Sequence, residues 1–116
     1  MVKVKTIDDV PRQAVQVPGV NNVYIRRMIS QADGAPTFAM RLFEVEPSGY
    51  TPLHTHIHEH EVFILSGRGV VKGPWGEMPL ATGSAVYVPA QEEHHFVNVG
   101  DEPLRFLCMV PVAADK

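Results

Sequence analysis

Cysteine is nearly absent from this chain. The single copy, Cys108, cannot form an internal disulfide, and a reducing compartment is the expectation that follows. Concentrated positive charge is also missing. Ten Lys and Arg face thirteen Asp and Glu, the net charge is −3, and no basic run occurs, so nucleic acid and anionic membrane surfaces lack electrostatic support as partners. No apolar stretch is long enough for a membrane span. The opening segment "MVKVKTIDDVPRQ" mixes charges among its apolar residues and does not read as a signal peptide. A cytoplasmic protein is expected. Helical periodicity is absent too. No window keeps an apolar helical period for ten residues, and the one weak helix candidate, "TIDDVPRQA", is cut by Pro11.

What the chain does contain is punctuation. Ten prolines and nine glycines break it at short, fairly even intervals. Between them lie runs rich in Val, Ile, Phe and Tyr, at 22–29, 38–46, 61–65, 69–73, 84–89, 94–99 and 104–112. Turn signals such as "PSG", "SGRG", "GPWG" and "ATG" separate these runs. Short, evenly spaced strands predict an all-β sandwich or barrel. The 116 residues suit one domain, 1–116, and 45% apolar content is enough for a core without staples. Residues 1–22 are the loosest part, an edge strand or an arm that pairs with a second subunit.

All six histidines fall in two patches, "HTHIHEHE" at 54–61 and His94–His95. Residues two apart share a face of a strand, so His54 and His56 present adjacent imidazoles. A straight strand would place His54 and His60 about 20 Å apart, whereas ligand nitrogens sit only about 2 Å from a metal. The chain must therefore bend at "Ile57-His58-Glu59" if a third ligand comes from this patch. A fourth would come from His94 or His95, one of which faces inward. The competing reading, an accidental polar edge, does not explain why the second patch falls where another strand begins.

These residues resemble the two motifs of the cupin family. The second motif reads G, five residues, P-x-G, two residues, H, three residues, N. It matches "GSAVYVPAQEEHHFVN", with Gly83, Pro89, His94 and Asn98 in register and Gln91 in place of a glycine. The first motif matches "SGYTPLHTHIHEHEVFILSG". Ser48 stands at the leading glycine, His54 and His56 form the H-x-H pair, and Gly67 closes it. Counting back from Gly67 puts His60 at the family's glutamate position, with Glu61 as the alternative ligand. The resemblance spans residues 37–111 and implies a double-stranded β-helix, or jelly-roll, barrel. It implies one divalent transition metal ion (Mn, Fe, Ni, Cu or Zn) held by His54, His56, His60 and His94, and a homodimer.

Parity along the last strand puts Phe106, Cys108 and Val110 on one face, and Phe96 lies two residues beyond His94. These four are the expected pocket wall. By resemblance, the Arg41-bearing face of 38–46 also lines the pocket, which makes Arg41 the candidate catalytic side chain, suited to a carboxylate or enolate oxygen. The bland alternative for Arg41 is a solvated strand charge, and for Cys108 inert packing. No catalytic triad, phosphate loop or dinucleotide motif is present. An apolar pocket without a paired acid and base favours metal-centred chemistry. The expectation is a dioxygenase-like oxidoreductase acting on a small apolar or aromatic metabolite. The alternatives are a metal-dependent isomerase or lyase, and a non-catalytic small-molecule-binding protein.

Overall fold

The computed structural model describes residues 1–115. Nine strands follow in chain order: β1 (Gln13–Ala14), β2 (Asn21–Ile29), β3 (Phe38–Tyr50), β4 (His60–Ser66), β5 (Gly69–Gly73), β6 (Gly76–Leu80), β7 (Ala85–Val88), β8 (His95–Asn98) and β9 (Leu104–Pro111). The main path of the sheet runs β6-β5-β8-β3-β9-β4-β7, and every pairing is antiparallel. β2 lies against β3, and β1 adds a short pairing to β2. The result is the all-β jelly-roll barrel that the strand spacing and the motif resemblance predict.

β3 is the spine. Its thirteen residues pair with β2, β8 and β9, and the register sets Arg41 opposite Cys108, Phe43 opposite Phe106 and Ala39 opposite Val110. These residues point into the barrel. Ile64, Val45, Leu104 and Phe106 form the most deeply buried part of the core. The opposite face of β2 and β3 is covered by the N-terminal arm. Arg26 Nη1 donates to the carbonyls of Ile7 (3.1 Å) and Val10 (2.8 Å), and Lys5 Nζ donates to Met28 O (2.9 Å). Beneath the arm, Leu42 has no exposed surface. The weak helix signal of "TIDDVPRQA" becomes a three-residue 3-10 turn, Ile7–Asp9, with Thr6 N donating to the Asp9 carboxylate at 2.8 Å.

β6 has no counterpart among the sequence-derived runs. "GEMPL" carries a proline and shows no apolar alternation. It pairs only with β5, and an edge strand tolerates Pro79 because one side needs no donor. Gly67 serves the tight β4–β5 turn in two ways. Its φ is +90°, and an added Cβ would lie 2.5 Å from Pro103 O.

Ser48 and Gln91, the two positions where motif glycines are replaced, have φ of +67° and +68°. The left-handed backbone that glycine would supply is kept, at a strain of about 1–2 kcal/mol per L-residue. Restoring glycine removes that strain but adds about 0.5–1 kcal/mol of chain entropy lost on folding. Ser48→Gly and Gln91→Gly should each stabilise the fold by roughly 0.5–1 kcal/mol, raising Tm by a few degrees in scanning calorimetry.

Candidate metal centre

Three stretches of chain converge on one end of the barrel. Residues 51–56 follow β3 and run beside the start of β8. Thr51 N donates to Phe96 O (2.9 Å), and Phe96 N donates to Thr51 Oγ1 (2.8 Å). His54 and His94 then exchange both backbone hydrogen bonds, each at 3.2 Å. Gln91 N donates to His56 O at 2.7 Å. The chain bends at Ile57–His58, within the Ile57–Glu59 stretch where a third ligand from this patch would need a bend, and His60 opens β4 opposite Val88.

The ligand nitrogens of His56, His60 and His94 lie within 4.8 Å of one another. Two nitrogens on one ion, each about 2.1 Å from it, sit roughly 3–4 Å apart, so small ring shifts would complete a site. His54 packs its ring on His56 (4.1 Å between centroids) and on His94 (5.6 Å), beside the trio and outside its 4.8 Å grouping. His58 also flanks the group, 4.9 Å from His56 and 5.0 Å from His60. His95 turns away, with Nδ1 3.2 Å from Thr51 O. Glu61 is exposed on the opposite face of β4 and does not join the histidines. Its carboxyl is raised above the ordinary range by a hydrogen bond with Glu59.

Hydrogen bonding aims the rings. Nδ1 contacts Pro52 O in His54 (2.5 Å), Cys108 Sγ in His60 (3.0 Å) and Glu92 O in His94 (2.8 Å). A carbonyl can only accept, so Nδ1 carries the proton in His54 and His94, leaving the Nε2 lone pair free. His60 Nε2 is buried with no hydrogen-bond partner. A buried unpartnered nitrogen beside two other imidazoles is what a metal position requires. Burial, followed by repulsion from neighbouring imidazoles, lowers His56 to about 4 and His60 to about 3. His94 is lowered as well, again chiefly by burial. The trio is therefore neutral at pH 7, the form that binds a cation.

A cavity of about 170 Å³ opens beside these rings. Arg41, Phe43, Phe96, Phe106 and Cys108 line it together with the four histidines. Phe106 stacks on Phe43 (5.5 Å) and packs against Phe96 (4.8 Å). Val110 is not on the wall. It shares the face of Phe106 and Cys108, but it lies further along β9 in the solid core opposite Ala39. Val15 and Val17 of the N-terminal segment, and Thr51 and Pro52, are lining residues that sequence reasoning missed. The alternation "VQV" at 15–17 was the available signal for the two valines. Asp115 was missed as well. Its buried carboxylate lies 3.3 Å from Arg27 Nε and 3.8 Å from Arg41 Nη1.

The Cupin domain family pattern matches residues 41–110. This chain belongs to the cupin family. Its fold is close to that of the polyketide cyclase RemF from Streptomyces resistomycificus, with a TM-score of 0.91 and 34% identity, covering 97% of this chain and 80% of that one. The 1-methylthio-D-xylulose 5-phosphate methylsulfurylase of Rhodospirillum rubrum is 36% identical over 92 residues, 79% of this chain and 59% of that protein. The glucose-6-phosphate isomerase of Pyrococcus horikoshii is 40% identical over 73 residues, 56% of this cupin and 39% of the isomerase. The chain thus spans less than two thirds of the length of these two curated relatives. Among the described residues, no helix is long and apolar enough to cross a membrane.

The lowered histidines set a pH dependence for the metal-free cupin. Their folded-state values lie below the ordinary 6.5, so the unfolded chain binds more protons as pH falls. Stability should be intact above about pH 6.5 and decline from there through about pH 4 towards about pH 3, the folded-state values of His56 and His60. Thermal melts across that window should show the fall, and His60→Gln should flatten its slope.

Proposed function

We propose that this cupin is a metal-dependent enzyme acting on a small enolisable carbonyl compound with an apolar, ring-bearing body. The observation that carries this reading is the unpartnered, buried Nε2 of His60. It sits in a neutral three-histidine cluster at a cavity whose one charged lining residue is Arg41. His56, His60 and His94 would hold the ion, with His54 as the adjacent fourth imidazole. Imidazoles suit Zn, Cu, Fe and Ni. When bound, a divalent ion held by neutral ligands supplies Lewis acidity towards a carbonyl oxygen.

The protein's own residues define the rest. Arg41 would orient an enolate or carboxylate oxygen, because no lining acid competes with it from within the cavity. Phe43, Phe96 and Phe106 offer flat apolar contacts to a ring. Val15 and Val17 add apolar side chains to the lining. A sugar phosphate fits poorly, since its many hydroxyls would meet few donors beyond Thr51, whose hydroxyl already accepts from Phe96 N. The cyclase relative supports this choice over the isomerase and methylsulfurylase relatives. The competing reading is a dioxygenase, which the apolar aromatic wall also suits. A cytoplasmic location and a homodimer belong to the same proposal. The lone buried cysteine supports the first, and the family resemblance supports the second.

Elemental analysis of untagged protein tests the site. One divalent ion per chain is expected in wild type and Glu61→Ala, and a loss of most of it in His60→Ala. An aryl 1,3-diketone then tests the chemistry. Zn- or Mn-loaded protein should exchange its α-proton for deuterium without oxygen, and Arg41→Gln should slow the exchange at least tenfold, about 1.4 kcal/mol of barrier. Stoichiometric dioxygen consumption by Fe- or Cu-loaded protein, with no anaerobic exchange, would instead establish the dioxygenase.

A further inference from the structure

A continuous line of contacts runs from the C-terminal turn to the metal cluster. Asp115 lies against Arg27 and Arg41, with 3% of its side chain exposed. Arg41 Nη2 donates to Cys108 Sγ at 3.2 Å. Cys108 Sγ lies 3.0 Å from His60 Nδ1. His60 Nε2, at the far side of the same ring, is buried and unpartnered. His54 and His94 find carbonyl oxygens for Nδ1, and His60 alone of the three finds a sulfur.

A carbonyl fixes the tautomer of an imidazole by itself, because it can only accept. A thiol can donate or accept, so it leaves two states open. In one, S–H donates to Nδ1, and the ring proton sits on Nε2, where it blocks a metal. In the other, Nδ1–H donates to sulfur, and Nε2 offers its lone pair. The second state requires a sulfur that acts as acceptor, and Arg41 already uses Cys108 Sγ in that sense. A guanidinium has only donors, so the sulfur accepts from Arg41, and a proton on His60 Nε2 would be buried with no acceptor, which favours the state with Nδ1–H on the sulfur. Asp115 holds that guanidinium from behind.

We propose that Cys108 is a positioning residue. Oriented by Arg41, its sulfur accepts Nδ1–H from His60 and thereby keeps Nε2 deprotonated and aimed at the metal position. This rests on reading the histidine cluster as a metal site. It assigns to a residue that otherwise reads as core packing a role in setting metal affinity. It also links the anion-binding side chain of the cavity to one metal ligand through a single atom.

Two measurements separate this proposal from the reading beneath it. The first is cobalt(II) titration, followed by the visible absorption of the bound ion, on wild type, Cys108→Ser and Cys108→Val. Serine keeps an acceptor and valine fills the volume without one. Affinity within about threefold of wild type is expected for Cys108→Ser, and a loss of about tenfold or more, with an altered spectrum, for Cys108→Val. Wild-type affinity and spectrum in a folded Cys108→Val protein would overturn the proposal, as would equal losses in both variants. The second is nitrogen-15 NMR of the imidazoles in metal-free protein, which needs no ion. Wild type and Cys108→Ser should carry the His60 proton on Nδ1, and Cys108→Val should shift it to Nε2. An Nε2–H tautomer in the wild type would sink the proposal. Failure of wild type to bind cobalt with the Nδ1–H tautomer intact would count against the metal-site reading and leave the positioning contact standing.

Discussion

The two backbone hydrogen bonds exchanged by His54 and His94 are the constraint on which the candidate centre depends. They join the two histidine patches where neither strand ladder is regular. On their own, residues 51–59 form no strand that could fix the direction of a side chain. Tied to His94 at one point and to Gln91 at another, the segment behaves as an extra strand of the barrel. The backbone N–H of Thr51, both backbone groups of His54 and the carbonyl of His56 find partners, which favours this path over the alternatives an irregular loop would otherwise sample. The side chains inherit that order. His56 is aimed by the loop, His94 by the entry to β8 and His60 by the first residue of β4. Three independently anchored pieces of backbone make a more rigid cluster than three residues on one loop could.

Charge is sorted between the two faces of the same sheet. Outside the barrel, Glu44 is buried under the arm and meets Arg26 (3.3 Å), Arg105 (3.0 Å) and Arg12 (3.8 Å). Inside, Arg41 is compensated by one carboxylate, Asp115, behind the cavity wall. Burying a charge without a partner is expensive, and both clusters obey that rule. They differ in what they leave over. The outer cluster places three cations around Glu44 at a surface that solvent can reach, with Glu46 also on Arg12 (3.2 Å). The inner one leaves the cavity with a guanidinium and neutral imidazoles, and with no acid to compete for a cation or repel an anion. Under the proposed function, that arrangement would favour ligands with one negative head and little other polarity.

How much of this was legible in the sequence follows from which signals were local. The seven strand runs were readable because each has apolar or β-branched residues bounded by glycine or proline. β6 was not, because an edge strand with one pairing partner need not alternate. The bend after His56 was readable from strand rise together with the assumption that a third ligand comes from the same patch. The choice of His94 over His95 was not, and it came from motif register. Phe96, Phe106 and Cys108 reached the cavity wall as parity on their strands requires. Val110 has the same parity and is buried in the core instead. Parity fixes the face of a strand, whereas the cavity ends where side chains from Ala39 and its neighbours fill the barrel. The alternation at 15–17 puts Val15 and Val17 on one face but does not say what that face covers, and the contact of Asp115 depends on a fold-back over the barrel that no local pattern encodes.

Ser48 and Gln91 show why motif resemblance carried so much. A motif glycine is a statement about backbone shape, and the shape has outlasted the residue. Both positions keep a left-handed φ without glycine. At Gln91 the reason is at the candidate site itself, because its N–H donates to His56 O and so ties down the segment that carries His54 and His56. A relaxed backbone there would turn that donor away. The strain is tolerated because neighbouring hydrogen bonds over-determine the turn. Backbone conformation at the exposed Gln91 turn is therefore part of what holds the His56 segment in place, beside the residues that touch its ring.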